Sequence, residues 1–297
     1  MSFTVAETIA VVATGEMGSA VGAALVRRGH RVITDLRGRS AASRKLARDA
    51  GIEDVGSITA LVETAEIVLS IVPPAAAASF ARSVATALEE SRARPVFADC
   101  NAIAPATVAD IAAPFDALGV PFVDAGIVGP APRPDRKPTR FYVSGNARAA
   151  LLALDVPEIA VIDMGPEPGR ASAIKMCYAA LNKGFDALLT TVLLAAQRLD
   201  VRAELVAELG SSQPEAAARS ARRVPTLAAT ARRYVPEMHE IAATFAAAGV
   251  TPDFHRAAAW LYGVLARTPL ANETRLTAPA DRSLDEALAA FLAALEP

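Results

Sequence analysis

The chain has 297 residues, with 30 lysines and arginines against 32 aspartates and glutamates, giving a net charge of −2. That length accommodates two domains, and the balanced charge gives no electrostatic footprint for nucleic acid or an anionic membrane surface. The 2 cysteines and 3 histidines are scattered without metal-ligand spacing, so neither a disulfide framework nor a metal site is expected.

Hydrophobic residues make up 53% of the chain, but much of that is alanine, which favours helix and does not imply a membrane. The most apolar stretch, Ile67 to Ala81, contains Pro73 and Pro74 and is shorter than the ~20 residues a spanning helix needs. No basic residue precedes the first apolar run, where Glu7 stands instead, so no secretory leader is expected and a reducing cytoplasm fits.

In chain order, Thr8 to Val12 is a short β-rich run. Gly15 to Arg28 follows with Met17, Val21 and Leu25 at helical spacing, and Gly29 ends it. Strands are predicted at Arg31–Thr34, Ile67–Val72, Val96–Ala98, Val120–Asp124 and Phe141–Ser144. Strands alternating with helices point to βαβ units and a doubly wound, mostly parallel sheet. The alternation stops after Val161-Ile162-Asp163. A long helical pattern then runs from Gly169 to about Asp200. Further helices are predicted at Ala203–Glu208, Glu215–Tyr234, Glu237–Ala248, Asp253–Ala266 and Ser283–Leu295, interrupted at 210–214 and 267–270. The reading is an α/β Rossmann domain, 1–165, joined by the long helix to an all-α domain, 166–297.

The turn Ala13-Thr14-Gly15-Glu16-Met17-Gly18 lies between the first strand and the first helix. A helix N-terminus there offers free N–H groups and a positive dipole end to a dinucleotide pyrophosphate. Gly15 lets backbone approach the diphosphate, Gly18 lets the helix lie close, and Gly22 extends that close face. The first glycine of the usual G-x-G-x-x-G is Ala13, which fits only if its φ stays negative. Past the second strand come Asp35, Arg37, Arg39 and Ser40. An acid there would bind ribose hydroxyls, whereas an arginine and a hydroxyl would accommodate a 2′-phosphate. The cluster favours NADP over NAD, the alternative being a solvated basic loop.

The order G-x-M-G, then the Pro73-Pro74 end of a strand at Val72, then Asp99-Cys-Asn-Ala-Ile-Ala-Pro105, resembles the β-hydroxyacid dehydrogenases. These include 6-phosphogluconate and 3-hydroxyisobutyrate dehydrogenases. A second segment, Asp124-Ala-Gly-Ile-Val-Gly-Pro130, is similar to the family's D-A-P-V-S-G-G, and Gly169 to Ala179 to its G-x-x-x-x-x-K-x-x-N-N. The resemblance covers about residues 8–200, and the helical half is similar to phosphogluconate-dehydrogenase-like C-terminal domains. It implies NAD(P)-dependent hydride transfer on a small acidic substrate, with Lys175 as acid/base. Desolvation would lower the pKa of a buried lysine toward working pH. It places cofactor contacts at Val72, Pro73 and Asn101, and substrate contacts at Asn101, Val128, Gly129 and Tyr178. It also implies a homodimer through the helical domain.

Three departures bear on substrate. Asn101 and Val128 stand where the family has serine, and Tyr178 where it has asparagine. Asn182, two turns past Lys175 on the same helix face, is a further candidate, as is Lys183 beside it; the alternative for both is interface packing. The loop Arg133–Arg140 carries four basic residues and would attract an anion if it faced the site, or is simply solvated. His255 reads as a packed histidine and His30 as a structural one favourable to its helix dipole. Imine reduction and non-catalytic dinucleotide sensing remain alternatives, and retention of lysine argues for C–O rather than C=N chemistry.

Overall fold

The computed structural model describes residues 6–154, 156–274, 277–279 and 281–295. The chain forms two compact units, 1–176 and 177–297.

In the first unit the order is β1 (Thr8–Val12), α1 (Glu16–Arg28), β2 (Arg31–Thr34), α2 (Ala41–Asp49), β3 (Glu53–Asp54), α3 (Ile58–Thr64), β4 (Ile67–Ser70), α4 (Pro74–Glu90) and β5 (Val96–Asp99). Then come α5 (Pro105–Ala117), β6 (Phe122–Val128), β7 (Thr139–Ser144), α6 (Ala149–Leu152), β8 (Ile159–Asp163) and the start of α7 (Arg170–Arg198). The eight strands form one sheet in the order β3-β2-β1-β4-β5-β6-β7-β8. All neighbours pair parallel except β6 with β7. The first six follow the order 3-2-1-4-5-6 of dinucleotide-binding sheets, with the switch point between β1 and β4. The doubly wound α/β reading therefore holds.

Each inner strand feeds two cores, because successive side chains point to opposite faces. From β1, Ile9 and Val11 join Leu25, Val32, Leu69 and Phe141 on one face. Ala10 and Val12 join Ile33, Leu61, Phe97 and Phe115 on the other. Phe97 stacks on Phe115 with ring centroids 4.2 Å apart. At about 1.5–3 kcal/mol for each large aliphatic or aromatic side chain fully buried, these faces dominate the unit's stability.

The boundaries shift in places. The strand expected at Val120–Asp124 runs from Phe122 to Val128, because pairing with β7 continues it through Gly126. The strand expected at Phe141 begins at Thr139, whose hydroxyl donates to Pro130 O at 2.6 Å and closes the loop. The two-residue β3 carries no apolar pattern and was not predicted; it is held by register with Ile33 and Thr34.

The second unit holds the rest of α7, then α8 (Arg202–Ser212), α9 (Pro214–Arg223), α10 (Ala228–Ala247), α11 (Asp253–Leu265) and α12 (Leu284–Ala293). The single helix expected over Glu215–Tyr234 is divided by a 3-10 turn, Val224–Thr226, where Pro225 has no N–H to continue an α-helical ladder. Conversely, Pro236 lies inside α10, so the break expected between Tyr234 and Glu237 is absent. By length and mean hydropathy α7 could cross a membrane, but 56% of its most apolar window is buried in the protein.

The second unit is tied by charge as well as by apolar packing. Asp186 accepts from Arg219 Nε at 2.6 Å and Arg223 Nε at 3.2 Å. Lys183 pairs with Glu237 at 3.1 Å and lies 5.0 Å from the centre of the Tyr234 ring. Tyr262 donates to Lys183 O at 2.7 Å, and burial drives its phenol pKa strongly upward.

Candidate active site

The carboxyl ends of β1, β4, β5 and β6 share one edge of the sheet, the edge at which open α/β sheets bind ligands. At β1 the turn enters α1 directly. Gly15 is the N-cap, with extended backbone, and Ser19 N is the first amide of the helix to bond back, to Gly15 O. The amides of Glu16, Met17 and Gly18 are thus the helix's open donors. A Cβ on Gly15 would meet nothing within 4 Å, whereas a Cβ on Gly18 would lie 2.0 Å from Ala13 O. One glycine thus opens space above the turn and the other lets α1 close onto it. Ala13 has no positive φ, and its N–H donates to Ile71 O at 3.1 Å. Thr14 is buried and donates to Ser43 O at 3.1 Å, tying the turn to α2. An open N-terminus under an unobstructed glycine fits a dinucleotide's diphosphate.

At the end of β2 the acid and the arginine bind each other. Arg37 donates to Asp35 from its backbone N at 3.0 Å and from Nη2 at 3.1 Å. This hydrogen bond raises the guanidinium's pKa above its usual value. Ser40 caps α2, accepting from Ser43 N at 3.2 Å.

Asn101 is 2% exposed, and its amide is committed within the protein. Its Oδ1 accepts from Val72 N at 2.7 Å, and its Nδ2 donates to Ser70 Oγ and Asp99 Oδ2, both at 2.9 Å. It therefore laces the ends of β4 and β5 together, leaving one acceptor lone pair on Oδ1. Asp99 lies beneath it, its pKa pushed up to about 6 chiefly by burial, against the opposing pull of hydrogen bonds from Asn101. Cys100 is buried, which raises its thiol pKa strongly. Pro73 is the exposed N-cap of α4.

Lys175 stands in the second turn of α7, half-buried, and Nζ donates to Cys100 O at 3.3 Å. Its placement depends on residues whose role sequence reasoning missed. Asp124 is fully buried; its Oδ2 accepts from Gly169 N at 2.9 Å and Ser172 N at 3.0 Å. Its Oδ1 accepts from Ser172 Oγ at 2.6 Å. Ser144, opposite it on β7, donates to Asp124 at 2.9 Å and accepts from Ala171 N at 3.1 Å. Two strand residues thus satisfy the first amides of α7, and Asp124 adds a negative charge at the positive end of its dipole. Two residues along β6, Gly126 makes room for the helix: a Cβ there would lie 2.4 Å from Ala171 O and 3.1 Å from Lys175 Cβ. A glycine in mid-strand is a sequence signal for close backbone approach; a cap supplied from 45 residues upstream leaves none.

Val128 is buried at the end of β6, and Gly129 follows with φ +125. The structure thus brings Ala13–Gly18, Val72, Pro73, Asn101, Val128, Gly129 and Lys175 to the carboxyl ends of adjacent strands. Tyr178 and Asn182 belong to the second unit. Tyr178 is 47% exposed. Asn182 donates to Tyr178 O at 3.0 Å, and its backbone carbonyl accepts from Arg219 at 2.9 Å. Lys183 is held by Glu237. His255 is buried edge-on against Phe245 at 4.3 Å, with its pKa lowered by burial, as a packed histidine. His30 sits 2.7 Å from Ala6 O through Nδ1. Among the described residues no group of acids, cysteines and histidines could hold a metal.

The model of the NAD binding domain of 6-phosphogluconate dehydrogenase matches residues 8–156, and a domain of unknown function matches 196–265. A conserved protein of unknown function, whose structure was described as similar to 3-hydroxyacid dehydrogenases, is 28% identical with a TM-score of 0.63. That match covers 86% of this chain and 99% of that one. The 3-hydroxyisobutyrate dehydrogenase of Mycobacterium tuberculosis shares the fold at 21% identity and a TM-score of 0.66, over 95% and 98% of the two chains. An uncharacterized 28.5 kDa protein of Methanothermus fervidus is 28% identical over 175 residues, 59% of this chain. The chain spans about 65% of that curated relative's length.

Proposed function

Because this chain belongs to the family of the NAD binding domain of 6-phosphogluconate dehydrogenase, we propose that it is an NAD(P)-dependent oxidoreductase acting between a carbonyl and an alcohol of a small acidic substrate. The observation that carries this reading is Lys175, fixed by Gly126 and the Asp124 cap so that Nζ reaches Cys100 O at the end of β5. When bound, the cofactor supplies or accepts the hydride. The chain would hold it through the amides of Glu16, Met17 and Gly18, the open face of Gly15, and the β4–α4 turn at Val72 and Pro73. Lys175 Nζ takes the hydroxyl proton during oxidation and returns it during reduction. Asn101 acts by holding the β4 and β5 ends in register, leaving substrate contacts to Val128 and Gly129.

NADP is the preferred cofactor in this reading. Arg37 and Arg39 flank the N-terminus of α2, where Ser40 and open amides suit a 2′-phosphate. Comparable NADH and NADPH affinities in the parent and in Arg37→Ala alike would refute that preference. The chain is further proposed to work as a cytoplasmic homodimer. Leu181 and Leu188 on α7, and Leu199 just past its end, are exposed at 70%, 44% and 72%, an apolar row suited to a second copy. Light scattering that returns a monomer at micromolar concentration would remove this.

The deciding experiment measures oxidation of NADPH and NADH against keto acids, semialdehydes and imines, with Lys175→Ala beside the parent. Turnover of a carbonyl acid, lost by about a hundredfold or more in Lys175→Ala, is expected. Full activity in that variant would end the acid/base assignment, and turnover of imines alone would move the reading to C=N reduction.

A further inference from the structure

The β6–β7 pairing places a cation beside Lys175 that the reading above does not use. Residues directly opposite in an antiparallel pair share a face. The register sets Asp124 against Ser144, Gly126 against Tyr142 and Val128 against Arg140. The first pair faces α7, because both side chains bond to its first turn. The second faces it too, because Gly126 abuts Ala171 and Lys175. Arg140 therefore stands on this same face, one pair nearer the carboxyl edge. It is about 7 Å along the strand from the level of Gly126 and about 5 Å across from Val128.

Arg140 is exposed, and its guanidinium forms neither an ion pair nor a hydrogen bond among the described residues. The loop that leads to it, Arg133-Pro-Asp-Arg-Lys-Pro-Thr, adds three basic residues and one acid. Across the edge the order is Cys100 at the end of β5, Lys175 over β6, and Arg140 on β7. The two outer strands are about 10 Å apart, and the long side chain of Arg140 shortens the gap to Nζ of Lys175. A short-chain molecule can therefore meet Lys175 and Arg140 at once.

We propose that Arg140 is the specificity residue of this site, binding a carboxylate or phosphate on the molecule whose hydroxyl or carbonyl meets Lys175. A guanidinium suits either oxyanion, because its planar fork donates two parallel hydrogen bonds. The proposal rests on the oxidoreductase reading for the identity of the reacting group, but not for anion binding itself.

The test uses the full chain in saturating NADPH, so that the cofactor's own phosphates occupy the turn. Malonate and inorganic phosphate are titrated by calorimetry into the parent, Arg140→Gln and Arg140→Lys. The parent binds one or both, Arg140→Gln weakens binding by about tenfold or more, and Arg140→Lys keeps part of it. Malonate alone would assign a carboxylate, and phosphate alone a phosphomonoester. No binding by the parent at tens of millimolar, or equal binding in Arg140→Gln, overturns the proposal. Turnover is then compared between succinic semialdehyde and butanal, and between glyceraldehyde 3-phosphate and glyceraldehyde. The charged member of a pair should lose its advantage in Arg140→Gln while the neutral member keeps its rate. Anion binding lost in the variant, with no carbonyl turned over by the parent, upholds Arg140 and ends the oxidoreductase reading. Equal turnover of charged and neutral members by the parent does the reverse.

Discussion

Replacing Asp124 should loosen the start of α7 and, with it, the placement of Lys175. Asp124→Ala would strand Gly169 N, Ser172 N, Ser172 Oγ and Ser144 Oγ, which donate to the carboxylate at 2.6–3.0 Å in a fully buried setting. Hydrogen bonds to a charged group contribute about 1.5–3 kcal/mol each, and they are not additive. The two serine hydroxyls can turn to other acceptors, so the two amides set the scale. The expected loss is about 4 kcal/mol, within the range for removing one partner of a buried ionic contact. Asp124→Asn is the discriminating control. Its carbonyl can occupy the Oδ2 position and keep three of the bonds, while its NH2 meets Ser172 Oγ, which can accept instead of donating. Only the charge and its attraction to the helix dipole are lost, about 1–2 kcal/mol. Urea unfolding followed by circular dichroism measures both variants, with amide exchange at residues 171–176 as the local readout. A loss below about 1 kcal/mol in Asp124→Ala, or equal losses in the two variants, would refute the capping argument.

The two glycines of the turn should separate binding from folding. Gly15→Ala adds a Cβ with nothing within 4 Å, so the melting temperature stays put while NADPH affinity falls by about tenfold or more. Gly18→Ala puts a Cβ 2.0 Å from Ala13 O and costs about 3 kcal/mol of stability as well, read by thermal melting and cofactor fluorescence. Asp99, raised from 3.8 to about 6, binds its proton more tightly in the folded state. Its favourable contribution is complete below about pH 4 and is lost as pH rises through 6, a change of about 3 kcal/mol. Urea midpoints measured across that window should show this fall, and Asp99→Asn should flatten it; an unchanged slope would count against the buried carboxyl. In the helical unit, Asp186→Ala leaves Arg219 and Arg223 without their carboxylate. It should cost about 2–4 kcal/mol by urea unfolding, less than a fully buried pair because both arginines are partly solvated.

The features legible in the sequence are those that local chemistry dictates. The strand–turn–helix of Thr8–Arg28 carries its own punctuation, from β-branched residues through glycines to a helical stripe, and its limits agree with the structure. The long helix over Gly169–Asp200 was equally plain from its unbroken periodicity, and the structure gives Arg170–Arg198. Pro225 and Pro236 show the limit of local rules. Both are prolines within alanine-rich helical pattern, yet one divides the helix and the other is absorbed by it. Tertiary packing decides between those outcomes, and the sequence does not display it.

The same division runs through the site. Lys175 is a candidate because its neighbours resemble a known motif, but the reason it stands where it does lies in pairs separated by tens of residues. Asp124 with Ser172 and Gly126 with Lys175 are contacts between β6 and α7, with β7, α6 and β8 between them in the chain. Asn101 shows a second limit: a polar residue in a binding motif invites a ligand contact, and the sequence does not show that all but one lone pair of its amide is engaged by Val72, Ser70 and Asp99. Arg140 combines both lessons. In the sequence it ends a charged, proline-rich loop whose direction is unreadable; only the register Val128↔Arg140 shows which face it stands on. A shift of one residue in that register would turn Arg140 to the opposite face, against the core that holds Phe141 and Val143. Burial of Phe141 and Val143 on that face therefore obliges Arg140 to stand on the side of Lys175. The apolar alternation that builds the core is thus what places the cation at the site.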